Sequence, residues 1–144
     1  MELIGSIMNT ATTSIVTPVQ VMYFDTDAGG VVHNIAYLRF IETARTLLAI
    51  QIGMTFEIIR RTQIHPVVVR TEIDYRKPAR LGDCLEIHGR LGKHTGVRFW
   101  CEFEVVRPSD GGQLVTCQQA LALVKMPEGR LIRLPEGFPA SFSF

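Results

Sequence analysis

One stretch of this chain repeats its apolar residues with a helical period, and nearly everything after it alternates. Tyr37, Phe40, Ile41, Ala44, Leu47 and Leu48 recur at three- and four-residue steps, and Leu38, Ala49 and Ile52 widen the stripe. The spacing predicts a helix over 34–52, about 28 Å long at 1.5 Å per residue, with Gly53 as its stop. Its second half is apolar over most of its circumference, so this helix is expected to be largely enclosed. A second, short helix is expected over 55–61.

Period two governs the rest. A first strand is expected over 18–24, where Val19, Val21 and Tyr23 alternate with Gln20, Met22 and Phe24. Beyond the helices, Val67, Val69, Thr71, Ile73 and Tyr75 alternate with Val68, Arg70, Glu72, Asp74 and Arg76. Leu85, Ile87 and Leu91 alternate with Glu86, His88 and Arg90, and Val97, Phe99, Cys101, Phe103 and Val105 with Arg98, Trp100, Glu102 and Glu104. The run over 114–125 has a face with Ala120 and Ala122, small enough for a helix to approach, and a short strand closes the set over 131–134. Gly-containing links over 79–83, 92–96 and 108–112 suit antiparallel neighbours. One long helix with one sheet makes a two-layer α+β domain whose sheet curls around the helix. Trp100, Val106, Leu121 and Leu123 break the charged outward sets, which hints at subunit contact.

A length of 144 residues fits a single domain with a real core. A formal charge of +1 leaves no global basic field for nucleic acid. The longest uncharged stretch, 3–24, contains Asn9, Pro18, Gln20 and scattered Thr and Ser. It therefore cannot supply a membrane span, and with Glu2 at its start it does not read as a secretory signal. Cys84, Cys101 and Cys117 show no CxxC and no metal-ligand spacing, so reduced, strand-buried thiols are expected. The expectation is a soluble cytoplasmic protein with a loosely ordered leader over 1–17 and a single domain over 18–144.

The chemistry-bearing segment is Asp25-Thr26-Asp27-Ala28-Gly29-Gly30, directly before the helix. Glycines let the backbone take positive φ and approach a ligand. A helix start presents unpaired N–H groups and a positive partial charge. A carboxylate beside free N–H donors suits hydrolytic acyl transfer, in which the carboxylate attacks or activates water and the donors hold the oxyanion. On the residues alone, two aspartates that merely cap the helix are the simpler explanation of the segment.

The string from Asp25 to Tyr37 resembles the signature D-x-D-x-x-G-[IV]-V of the hotdog-fold acyl-CoA thioesterases, in the 4-hydroxybenzoyl-CoA thioesterase class and its Tol-Pal-associated relatives. Leu38-Arg39-Phe40-Ile41-Glu42-Thr43-Ala44-Arg45 is similar to that family's helix, and the segment from Tyr75 to Asp83 to its strand-to-turn element; the likeness runs over roughly 18–134. The resemblance implies an antiparallel sheet of five or six strands wrapped around one long central helix. It also implies hydrolysis of an acyl-CoA or aroyl-CoA to free acid and CoA, with no metal and no redox cofactor. Asp27 matches the family's nucleophile or general base, and Asn34 its oxyanion-donating backbone N–H. Several relatives carry Tyr-His where this chain has His33-Asn34, which makes His33 a candidate for chemistry as well as for packing.

Gly30, Val31 and Val32 would shape the turn around the substrate, and Tyr37 would line the acyl pocket. Phe24, Phe40, Phe56 and Phe99 either line that pocket or fill the core. Asp25 is expected to hold the turn, and Glu42 with Arg45 to form a helix-face pair. Phosphates of CoA call for basic residues, for which Lys77, Arg80, Lys93, His94 and Arg98 are the candidates. Relatives of this class assemble as dimers or homotetramers with sites at subunit interfaces, so these contacts can come from a second chain. Two other readings share the fold. One is a non-catalytic acyl-CoA binding protein; the other is a dehydratase or hydratase, which sets a histidine with a carboxylate at the reacting carbon, an arrangement that the D-x-D-x-x-G segment with Asn34 argues against.

Overall fold

The helical period folds as read. In the computed structural model, which describes residues 13–139, helix α1 (Asn34–Gln51) starts after His33, whose Nδ1 accepts the Ala36 N–H at 3.2 Å. It ends at Ile52, just before Gly53 at φ 107°, a conformation that glycine adopts without steric cost. Helix α2 (Phe56–Thr62) is capped by the Thr55 hydroxyl and closed by Arg60 and Arg61 near its C-terminus.

The strands are β1 (Ser14–Gln20), β2 (Ile64–Tyr75), β3 (Cys84–His94), β4 (Arg98–Arg107), β5 (Gly112–Lys125) and β6 (Arg130–Ile132). They form one antiparallel sheet in the order β1-β3-β4-β5-β2, and β6 pairs with the far end of β5, past the start of β4. The inner face carries Leu85 and Ile87, then Phe99, Cys101, Phe103 and Val105, then Val115, Cys117, Leu121 and Leu123. These pack with Ala36, Phe40, Ile41, Ala44 and Leu48 of α1. No helix among the described residues is long and apolar enough to cross a membrane.

Several expectations need correction. The first strand is Ser14–Gln20 rather than 18–24, so it begins inside the segment read as leader; residues 1–12 lie outside the described range. Tyr23–Asp25 is instead a 3-10 turn, because the Asp25 carboxylate accepts the Met22 N–H at 2.8 Å and winds the chain back. In β2 the register shifts between Val68 and Arg70. That bulge turns Val68 toward the core and leaves Val67 and Val69 exposed, opposite to a plain alternation. In β5 the faces are exchanged: Leu121 and Leu123 meet the core, and Ala120 and Ala122, although buried, lie on the other face. The phase is set by Phe99↔Leu121 and Cys101↔Gln119 in the β4–β5 register. The link over 76–83 does not join neighbours, since β4 and β5 separate β2 from β3. It runs past the β5 start, where the Leu114 carbonyl accepts the N–H of both Arg76 and Lys77. Nor is α1 enclosed within one chain: Leu47 is 39% exposed, and Ile35 and Leu38 are exposed too. Of the three thiols, Cys84 is exposed rather than buried.

These corrected faces have measurable consequences. Leu121→Ala is expected to cost about 3 kcal/mol, the scale of a buried leucine truncation, whereas Val69→Ala should stay within about 0.5 kcal/mol. Urea unfolding midpoints check both, and equal losses would mean that the assigned faces are wrong.

Candidate active site

The segment between the 3-10 turn and α1 folds as a tight hairpin. Thr26 bridges Val32, the Asp27 N–H donates to the Val31 carbonyl at 2.9 Å, and the Gly30 N–H donates to the Asp27 carbonyl at 3.0 Å. Gly30 stands at φ 76°, which this corner requires. Asp27 Oδ1 accepts the Gly29 N–H at 2.8 Å, and a Cβ at Gly29 would sit 3.2 Å from that oxygen. Asp27 Oδ2 makes no hydrogen bond among the described residues, and the side chain is exposed.

The hairpin's base is closed by the His33 N–H, which donates to the Asp25 carbonyl at 3.0 Å. Because His33 Nδ1 accepts from Ala36, its ring is held as a cap with only Nε2 remaining. The next N–H groups, those of Asn34 and Ile35, have no partner among the described residues. They are the free donors at the positive end of an 18-residue helix.

Beneath the helix start lies an open depression of about 300 Å³ that includes Val32, Asn34, Tyr37, Tyr75, Arg76 and Lys77. Tyr37 is buried, and its hydroxyl accepts the Ala79 N–H at 3.0 Å; burial pushes its pKa up. The Tyr75 hydroxyl donates to the Asn34 carbonyl at 3.3 Å, and burial raises its pKa as well. Val31 bridges Arg80, and Val32 donates to the Ala79 carbonyl at 2.9 Å, so the turn after β2 braces the hairpin. That turn is itself tied by Arg107, which donates to Asp83 at 2.9 Å and to the Pro78 carbonyl at 3.3 Å.

Asp27, Gly30, Val31, Val32, His33, Asn34, Tyr37 and Lys77 therefore gather in one region. Lys93, His94 and Arg98 do not. They sit in the β3–β4 hairpin, at the end of β3 remote from Asp83, about 33 Å away at 3.3 Å per residue. There the Lys93 ammonium lies 4.7 Å from the Trp100 ring centre, and His94 packs edge-on against Phe138.

A separate apolar cavity of about 240 Å³ lies between α2, the sheet and the C-terminal half of α1. Phe56 and Phe99 line it together with Leu48, Ala49, Ile52 and Leu121. Its polar rim, Glu42, Arg45 and His65, begins about 12 Å along α1 from Asn34, counting 1.5 Å per residue to Glu42. Phe40 is core and Phe24 is exposed. A third depression, about 550 Å³, is on the sheet's outer face among Glu72, Asp74, His88, Arg90, Glu102 and Glu104, and holds none of the candidate residues.

Two groups of functional interest escape a reading of the sequence. Asp25 is buried against Arg39, whose partner fourteen residues back is unmarked by any helical spacing. Arg45 reaches beyond its weak 4.0 Å approach to Glu42 and donates to Gln119 at 2.7 Å. Gln119 in turn donates to Thr71 at 3.2 Å, a polar chain across the core that only strand register reveals.

Comparison with known proteins bears on the family and the fold. The sequence profile of the thioesterase-like superfamily matches residues 21–142. The acyl-CoA thioester hydrolase YbgC of Escherichia coli is 38% identical over 79 residues, 55% of this chain. The matched chain spans 59% of that relative's length. Among solved structures, a probable thioesterase from Bartonella henselae is similar at a TM-score of 0.72 and 31% identity, covering 85% of this chain and 99% of that one. A 1,4-dihydroxy-2-naphthoyl-CoA thioesterase from Synechocystis has a TM-score of 0.76 over 85% of this chain and 90% of that one; at 24% identity it speaks for the hotdog fold alone.

The thiols give a direct check of this packing. Burial pushes Cys101 up to about 12 and Cys117 up to about 11, whereas Cys84 is exposed. A disulfide dye at about pH 8 should therefore titrate one thiol quickly in the native protein and all three in urea. The raised values also fix a sign. Above the ordinary thiol value of 9.0 the unfolded chain sheds protons that the folded chain keeps. These thiols' stabilisation is thus fully present below that pH and is lost as pH rises toward their folded values. Urea midpoints measured across the alkaline range should fall accordingly.

Proposed function

The chain belongs to the thioesterase-like superfamily, and we propose on that premise that it hydrolyses the thioester of an acyl-CoA or aroyl-CoA to free acid and CoA. The observation that carries this reading is an exposed carboxylate with one free oxygen, on a hairpin whose closed base adjoins the unpartnered N–H groups of Asn34 and Ile35. In the proposed reaction Asp27 either attacks the thioester carbonyl carbon or takes a proton from the attacking water. The carbonyl oxygen gains negative charge, which the helix-start N–H groups stabilise. The C–S bond then breaks, and the thiolate of CoA leaves and takes up a proton; where water attacked, the free acid forms in that step, and where Asp27 attacked, water then cleaves the resulting Asp27–acyl anhydride to free acid and the carboxylate. His33 keeps the helix start in place through its cap, and Gly30, Val31 and Val32 keep the hairpin corner open.

The acyl end of the substrate is assigned to the depression beside Tyr37, with Lys77 on its rim to meet negative charge. Lys93, His94 and Arg98 are too far from Asp27 in their own chain to meet the same CoA molecule there. If they bind its phosphates, a second copy supplies them. The exposed Ile35, Leu38 and Leu47 of α1 and the unpaired outer edge of β2 favour a homodimer or homotetramer.

Thiol release from acetyl-, hexanoyl-, palmitoyl- and benzoyl-CoA tests the proposal, followed with a disulfide dye in a Cys84→Ser background so that the exposed thiol does not report. The proposal expects turnover of at least one of them, and its loss by about 100-fold or more in Asp27→Asn, the scale of a lost general base or nucleophile. Binding without release from any thioester would instead favour a non-catalytic acyl-CoA binding protein. Turnover unchanged in Asp27→Asn would assign the chemistry to another residue.

A further inference from the structure

The hairpin contains a second carboxylate that the proposed reaction leaves idle. Asp25 is only 2% exposed. Its Oδ2 accepts the Met22 N–H at 2.8 Å, its Oδ1 accepts from the Arg39 guanidinium, and its backbone carbonyl accepts the His33 N–H at 3.0 Å. No other cation pairs with it among the described residues. Arg39 is held in turn, with its guanidinium carbon 5.3 Å from the ring centres of both Phe24 and Phe40.

The two ends of this ion pair belong to the two halves of the site. Asp25 lies two residues before Asp27, on the strand of the hairpin that carries the reactive carboxylate. Arg39 projects from α1, the rigid element that carries the Asn34 and Ile35 N–H groups. The pair is therefore a strut between carboxylate and donors, parallel to the single backbone bond from Asp25 to His33. A buried carboxylate that loses its only cation is strongly disfavoured. It must take up a proton or move toward water, and either response shifts the hairpin relative to the helix.

We propose that Arg39, acting through Asp25, is a positioning residue that fixes the distance between the Asp27 carboxylate and the N–H donors at the start of α1. This rests on the thioesterase reading above. Misplacement by an ångström costs a reaction far more than it costs binding. The loss should therefore fall on kcat, while KM, set by contacts elsewhere on the substrate, holds.

The test compares Arg39→Met, Arg39→Lys and Asp25→Asn/Arg39→Met with wild type and Asp27→Asn, using whichever of the four acyl-CoAs named above is turned over fastest. Arg39→Met should lower kcat on the order of 10- to 100-fold with KM within about threefold. Arg39→Lys should recover only part of the loss, since lysine keeps the charge but neither the planar fork nor the ring stacking. The double variant should recover most of it, because the amide can still accept from the Met22 N–H and needs no counter-ion. Recovery of kcat on removing a second native group is not what a merely structural role predicts, as stability would fall further. Should Arg39→Met fail to fold, the lysine and double variants carry the comparison. Wild-type kcat in Arg39→Met, a loss confined to KM, or a double variant no better than the single one would each overturn the inference. With Asp27→Asn inactive, such a result sinks only the strut; an active Asp27→Asn sinks the assignment of Asp27 itself.

Discussion

Burial of one face of α1 is the constraint on which the rest of the structure depends. Ile41, Ala44 and Leu48 are essentially without solvent contact, and they share one core with Ile87, Val105 and Leu121 from three different strands. At roughly 1.5–3 kcal/mol for each large apolar side chain removed from water, this contact outweighs any local preference in the chain. It therefore decides which residues of each strand face inward. The exchange of faces along β5 follows from it. Leucines at positions 121 and 123 fill the space beside the helix, and the alanines lie where the other face comes close to Trp100 and Arg98, their partners in register.

The same burial gives the hairpin before α1 a fixed reference. A helix anchored along its length cannot yield at its first turn, so whatever bonds to His33, Tyr37 or Arg39 inherits its rigidity. The hairpin is held from three directions: by Asp25 onto Arg39, by the His33 N–H onto the Asp25 carbonyl, and by Val31 and Val32 onto the 79–80 turn. The turn is braced by the Tyr37 hydroxyl from one side and by Arg107 from the other. Arg107 also donates to Asp110 at 2.9 Å, which draws its carboxyl below the usual range, though this outer contact is exposed and adds little to stability. In the proposed reaction, preorganisation of this kind would spare donors and carboxylate any rearrangement.

Most of the fold was legible in the sequence because its signals are local and periodic. The helix limits agree to within a residue; Gly53 is a stop that residue type alone can announce, whereas the cap is His33, which the sequence marks for chemistry or packing and not for capping. What failed depends on partners distant in the chain. A strand with apolar residues on both faces, as in β5, has no phase of its own, and only pairing with Phe99 and Cys101 chooses one. The bulge at Val69 is equally silent, because Val67, Val68 and Val69 are chemically interchangeable. Met22–Phe24 reads as the end of a strand, but the Asp25 side chain turns back onto the Met22 N–H. The cluster around Asp27 could be read because it is nearly contiguous. The separation of Lys93, His94 and Arg98 could not, since it reflects the length of β3 and not any property of those residues.

Asp25 and Asp27 show how one motif can assign opposite tasks to the same side chain. Both are carboxylates, and residue type alone offers no reason to prefer either; in the sequence only the family resemblance singles out Asp27. Their environments separate them. Asp25 is enclosed, with its oxygens occupied by a cation and a backbone N–H, so it has neither a free lone pair directed at solvent nor room for a substrate. Asp27 is exposed, with one oxygen fixed by Gly29 and the other unengaged. The fixed oxygen orients the group and the free one remains available. On a plain extended segment, two residues so spaced would lie on the same side and share one environment. Had both faced water, neither would be held; had both been buried, neither could react. The 3-10 turn breaks the symmetry by taking the first into the protein interior and releasing the second at the hairpin corner.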